Sequence, residues 1–262
     1  MLTATILYNA IAQNYTKSLS STASEPQVAR ATQNFLANIG KITSASQLVN
    51  NSQLYNYVMT AFGLQDMAYA KALITKVLNG GADSSGFAAS LNDPRYTALV
   101  TAFDFATNGA ATTSSSSSKS AATTVNNYYQ QTLETQTGQE NQGAQMALYF
   151  ARMVPEITNP YSILADKTLL TVFETAYNLP TSFSEENIDV QANTVSQLLN
   201  ISKLQSDPTY QNQFLQRFTA MYDAQNPTST VSANPTNALL VTQTGISSDL
   251  LVSLANLKLG GS

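Results

Sequence analysis

The chain has 262 residues, of which 43% are hydrophobic and only 11% charged, with a net charge of −4 and a pI near 4.7. That balance lacks the basic footprint of a nucleic-acid-binding surface. Cys, His and Trp are all absent, which removes disulfides, thiol nucleophiles, imidazole bases and His or Cys metal ligands together.

Taken in order, residues 2–17 place Leu2, Ile6, Leu7, Ile11 and Tyr15 at helical spacing and predict an amphipathic helix. Ser20 to Glu25 reads as a loop. Pro26 suits a first helical position, and a helix through Val28, Ala31 and Phe35 to Ile39 is expected to close at Gly40. Ser44-x-x-Gln47 is a capping-box pattern opening a short helix, and Asn51 caps the next, which carries Leu54, Tyr57, Val58 and Ala61. Asp66 is read as the start of a third, ended by Gly80-Gly81. A short helix near Phe87 precedes Asp93-Pro94, a cap followed by a first-turn proline, and then a helix with Tyr96, Leu99, Val100 and Phe103 on one face.

Residues 109–124 are rich in Ser, Thr and Ala and read as a linker, although Ala and Thr also tolerate the start of a following helix. A second unit is expected over 125–225. Asn159-Pro160 and Asp166 cap its helices, Ser182-x-x-Glu185 is another capping box, and Asp207-Pro208 opens a helix with Phe214, Phe218 and Met221. Asn226 to Pro235 reads as a loop. Ser247 to Asp249 caps a last amphipathic helix with Leu250, Leu251, Leu254 and Leu257. No sustained strand alternation appears, so the fold class is all-α. No stretch of 18 apolar residues spans a bilayer, and no cleavable secretory signal is visible.

Phe35 to Leu64 lies without a gap on Phe150 to Leu179 at a shift of 115. Identical pairs include Phe35/Phe150, Ile42/Ile157, Leu54/Leu169 and Leu64/Leu179. The punctuation matches as well: Ser44 with Asn159, Asn51 with Asp166, and Gly63 with Asn178, the two residue types that best accept the left-handed conformation closing a helix. Asp207-Pro208 echoes Asp93-Pro94 at a shift of 114. The chain is therefore read as two tandem homologous helical units, an elongated or bilobed arrangement with a first unit over 1–108 and an unmatched tail over 226–262.

Asp93 and Asp207 sit where caps are needed, and Glu185, Glu186 and Asp189 suit a first helical turn better than an acid–base pair. Glu25, Glu140, Glu156 and Glu174 carry nothing beside them that signals a site, and Arg95 reads as a solvated side chain. No catalytic, cofactor-binding or metal residue is assigned. The candidate partner-helix face is formed by Leu2, Ile6, Ile11, Leu250, Leu254 and Leu257. Those end helices either pack on neighbouring units or pair with each other or with other subunits.

The run from Ala61-Phe62-Gly63-Leu64 to Lys71, followed by Leu91 to Tyr96 and by Ala102-Phe103-Asp104-Phe105, resembles the signature of a proteobacterial family known as domain of unknown function 1217. Residues 20–106 fit the pattern and 135–222 resemble a diverged second copy. The resemblance implies a role linked to the flagellum, because genes of the family typically lie among flagellar genes. The Cys-free, Ala-, Ser-, Thr-, Asn- and Gln-rich composition resembles that of exported axial proteins. The Asn-Asn-x-x-Asn type motif of rod and hook subunits is absent after the first helix. The expectation is a non-enzymatic structural or protein-interaction component of the bacterial flagellum, without cofactor, whose partners are flagellar proteins and whose place is the flagellum or the cytoplasm. A cytosolic assembly factor or export chaperone is the alternative, and a carboxylate-dependent glycan-acting enzyme comes third.

Overall fold

The computed structural model describes residues 2–81, 86–91, 93–103, 105 and 115–227, with only the backbone for 115–119. Among these residues every regular element is helical, and none of the helices is long and apolar enough to cross a membrane. The predicted helix over 247–259, with Leu250, Leu254 and Leu257, lies outside the described residues, as do 109–114 of the predicted linker.

The predicted first helix is two helices. Asn14 (φ −128°, ψ 35°) breaks the spiral between α1 (Ala4–Gln13) and α2 (Tyr15–Ser24). The stretch expected to be a loop is therefore mostly helical. Its Ser and Thr residues show little periodicity, and α2 is held by packing on α3 (Pro26–Asn38) and on the long helix α9 (Ser115–Glu140). Gly40 does not close α3; it sits within a 3₁₀ turn, Ile39–Lys41. Asp66 likewise lies in a 3₁₀ turn, Gln65–Met67, and the next helix, α6 (Lys71–Asn79), begins four residues later.

Between them lie α4 (Ala45–Asn50) and α5 (Ser52–Ala61). Ser44 Oγ accepts from the Gln47 N–H at 3.2 Å, and Gln47 Oε1 reaches back to the Thr43 N–H rather than that of Ser44. Asn51 Oδ1 accepts from the Leu54 N–H. After α7 (Phe87–Ser90), Asp93 Oδ1 accepts from the Arg95 N–H to start α8 (Pro94–Ala102).

The second half repeats this order in register. Helix α10 (Gln142–Met153) answers α3, and the 3₁₀ turn Val154–Glu156 falls on Ile39–Lys41 at the shift of 115. Next, α11 (Pro160–Leu164) begins opposite α4, and α12 (Lys167–Tyr177) opposite α5. Asn159 and Asp166 cap α11 and α12 through their side-chain oxygens. Both copies end this stretch alike. Gly63 has φ 65° and Asn178 φ 51°, the Leu64 N–H bonds to Met59 O at 2.8 Å, and the Leu179 N–H bonds to Glu174 O at 2.9 Å. This is the six-to-one bond of a Schellman cap. Ser182 caps nothing: Thr181–Glu185 is a 3₁₀ turn, and α13 (Ile188–Leu198) is capped instead by Asn187, whose Oδ1 accepts from the Asp189 N–H. Helices α14 (Ile201–Ser206) and α15 (Pro208–Gln225) complete the half, with Asp207 capping α15.

Met1–Gln225 form one compact unit, in which the buried apolar residues make two clusters, one around α3–α8 and one around α10–α15. The repeated apolar pairs are the anchors of both: Phe35/Phe150, Ile42/Ile157, Leu48/Ile163 and Leu54/Leu169 are all buried.

Two elements cross between the clusters. Helix α9 starts at Ser115, so the later part of the Ser/Thr/Ala stretch is helical. Its 26 residues run about 39 Å. Tyr128 stacks on Tyr57 with centroids 3.9 Å apart, and Tyr57 stacks on Phe35 at 4.5 Å, fixing α9 to the first cluster. Its later residues Leu133, Glu134 and Thr137 are buried, and the helix packs there on α2 and α10. Helix α1 crosses the other way: Leu7 and Tyr8 enter the second cluster against α10 and α15. Asp223 of α15 holds its start, accepting from the Ala4 N–H at 2.7 Å and the Thr5 N–H at 3.0 Å. The expected partner face of α1 is therefore divided. Ile11 packs against the second cluster, while Leu2 and Ile6 are exposed.

Candidate functional site

The crossing helices leave a cleft of about 1080 Å³ between α8, α9 and α10, also lined by Tyr8 and Ala12 of α1, Tyr15 of α2, and Ala61 and Phe62 at the end of α5. Its walls follow from helical periodicity. Helix α8 presents Pro94, Thr97, Ala98, Thr101 and Ala102, and α9 presents Ser120, Thr123, Asn127 and Gln130, each set at i, i+3 or i+4 intervals along one face. The opposite face of α8, with Tyr96, Leu99 and Val100, is buried in the first cluster. The α8 face is thus mostly of small side chains and the α9 face of uncharged polar ones.

Arg152 of α10 lies at the boundary of the cleft. Its Nε donates to Glu134 Oε1 at 2.6 Å and its Nη2 to Glu134 Oε2 at 3.2 Å. This two-pronged pair joins α10 to α9. Glu134 is 5% exposed, and burial pushes its carboxyl up from the ordinary value, with the guanidinium charge and hydrogen bonds pulling it back. Burial alone would lower Arg152, but Glu134 holds it protonated. Its Nη1 faces only Met153 Sδ, at 3.6 Å, a weak acceptor that leaves donor capacity on that side. The guanidinium also lies over the ring of Tyr149, 5.0 Å from the centroid. Burial, and then donation to Asp166, push the Tyr149 hydroxyl up.

Arg95 occupies the α8 wall. It is half-buried and paired rather than solvated: Nε and Nη2 donate to the Asp93 carboxylate, Nη2 at 2.7 Å, and Nη1 donates to Gly63 O at 2.7 Å. Asp66 lies 3.8 Å from Nη1. The cap residues Asp93 and Gly63 are thus brought together with Arg95 at one corner of the cleft. In the second copy Thr209 stands where Arg95 would be, and the contact is made by another residue: Arg217 Nε donates to Ala176 O at 2.7 Å. Each copy ties the end of its central helix to its last helix through an arginine.

Other sequence candidates lie apart from the cleft. Ser44, Asn51, Asn159, Asp166 and Asp207 serve as helix caps. Glu25 accepts from Gln136 Nε2, and Glu174 accepts from Ser184 Oγ. Among the described residues lining the cleft, Glu156 supplies the one carboxylate, and no group of three or more acids is placed to hold a metal ion. Glu134 and Arg152 had no place among the sequence candidates. The available signal was rarity: in a chain so poor in charge, an acid and a base stand on consecutive helices 18 residues apart.

These features define an all-α protein whose helices pack in one unit around a cleft walled by helix faces. The chain belongs to the family described as protein of unknown function DUF1217, which it matches over residues 61–210, more than half its length. The match is a single stretch that begins at the end of α5 and runs into α15. The chain is also similar to the crystal structure of protein AGR_C_984 from Agrobacterium tumefaciens, with 39% identity and a TM-score of 0.75, over 87% of this chain and 98% of that one. No curated protein matches it.

Proposed function

We propose that the protein is a non-enzymatic protein-interaction component associated with the bacterial flagellum. Family membership carries the reading, together with the flagellar gene association that the family resemblance implies. The site chemistry supports it. Both arginines at the cleft are neutralised by carboxylates of the same chain, which suits a recognition surface better than a reacting centre. Glycan hydrolysis with paired acids needs a second carboxylate facing the first across a cleft, and Glu156 has no such partner among the described lining residues. Residues 20–106 and 135–222 are read as two copies of one ancestral family unit.

A cytosolic assembly factor or export chaperone is the second reading. The helix-walled cleft favours it, since a groove of that form can hold a segment of an unassembled partner. Deleting the gene in the bacterium that encodes it tests the common part of both readings. Impaired swimming with incomplete basal bodies is expected. Normal motility with complete basal bodies overturns them.

A further inference from the structure

We infer that helix α1 is an exchangeable arm: it swings out about Asn14 and takes the place of α1 on a second copy of this chain, so that two copies complete each other's second apolar cluster. The surface that receives it is the face of α10 and α15 that α1 covers in the single chain, so the occupant is seen in place. The inference goes beyond the flagellar reading and does not depend on it.

Three observations carry it. The first is the joint. Between α1 and α2 only Asn14 leaves the helical conformation, with φ −128° and ψ 35°, roughly 65° in φ and 77° in ψ from a helical residue. A helical Asn14 would merge Ala4–Ser24 into one straight helix and carry α1 off its groove. The second is that the straight form exists in the same molecule. At the shift of 115, residues 4–24 fall on 119–139, all within the unbroken α9. There Ala121, Val125 and Tyr128 pack on the first cluster, as Leu7, Tyr8 and Ile11 pack on the second. The third is the balance of contacts. The bonds that dock α1, from the Ala4 and Thr5 N–H groups to Asp223 and from Gln216 to Asn9, join residues 207 to 219 apart in sequence. A second copy's α1 makes the same contacts, so exchange preserves them, and the balance rests on the joint and on protein concentration. At that joint the first N–H groups of α2 lie at a helix start, and the Asn14 side chain makes no cap hydrogen bond to them. Straightening pairs them within the helix. A chain whose arm is out exposes the groove it left, so the exchange closes as a two-fold dimer.

The chain has no Cys, so introduced thiols test this in the full-length protein. Asn9 and Gln216 lie side by side when the arm is docked, with Gln216 Nε2 donating to Asn9 Oδ1 at 3.4 Å. One chain carries Asn9→Cys, and a second, distinguished by a tag, carries Gln216→Cys. The two are mixed at high concentration, held below the melting temperature and treated with a short bismaleimide. Each chain has one thiol, so every cross-link joins two chains. The expected product links positions 9 and 216 in a particle of dimer mass. Its yield should be about tenfold above that from Asn9→Cys mixed with Lys203→Cys, a position exposed on α14. Asn14→Ala, a change to a stronger helix former at an exposed position, should raise the yield about threefold. A product between positions 9 and 216 no more abundant than that between 9 and 203 overturns the inference, as does a dimer by light scattering that lacks the first link. So does a folded Asn14→Ala chain whose yield does not rise.

Discussion

At Gly63 and Asn178 two different residues solve one backbone problem. Both lie in the left-handed region, where a β-carbon costs about 1–2 kcal/mol unless the residue is Gly or Asn. A Cβ on Gly63 would also meet the Gln131 side chain at 3.2 Å. Gly63→Ala is therefore expected to destabilise the fold by about 1–2 kcal/mol. Asn178→Gly should change stability by no more than a few tenths, and denaturant melts of both variants check the pair. Arg152 makes a sharper residue-level case. Arg152→Met leaves Glu134 buried without its partner and should cost roughly 3–5 kcal/mol, whereas Glu134→Leu combined with Arg152→Met should recover most of it. The sign of the pH dependence is fixed. Burial already raises Glu134 in the folded state, and losing the cation raises it further. The folded single variant then binds more protons than its unfolded chain, so its stability should rise as the pH falls from neutral toward the ordinary carboxylate range, relative to the parent. Melting temperatures of both chains across that range report it.

At the scale of elements, the caps and apolar anchors were legible because their signals are local. A Ser, Asn or Asp before an apolar period, and a Gly or Asn after it, placed α4, α5, α8, α11, α12 and α15. Helix α2 and the start of α9 were not legible, because Ser/Thr-rich turns have no strong apolar period. They are helical because α2 packs on α9 and α9 stacks Tyr128 on Tyr57, contacts far apart in sequence. The same distance hid the docking of α1. Asp223→Ala should remove two charge-assisted bonds at the start of α1 and cost about 1–2 kcal/mol, with faster amide exchange confined at first to residues 4–13. Close helix contact decides another case. A Cβ on Gly143 of α10 would fall 2.3 Å from the Tyr222 ring of α15. Gly143→Ala should therefore destabilise by about 1–3 kcal/mol through forced separation of the two helices, measured by thermal unfolding.

At the scale of the molecule, the similarity between the two halves looks different in three dimensions than along the chain. The two halves share their helix order and helix ends, but α9 and α1 each reach the other half's apolar cluster, and Met1–Gln225 pack as one unit. The cleft exists because of those crossings. It was not legible in the sequence because its walls come from five stretches, and the ion pair at its boundary joins α9 to α10 through Glu134 and Arg152. Arg95, which has Thr209 opposite it at the shift of 114, lines that cleft. The central claim is that this surface serves a flagellar assembly. Fractionating motile cells that carry a tagged full-length chain tests it most directly. The protein is expected with basal bodies or in the culture medium, or, if it acts as a chaperone, bound in the cytosol to one unassembled flagellar subunit. A protein found in none of these places would contradict the claim.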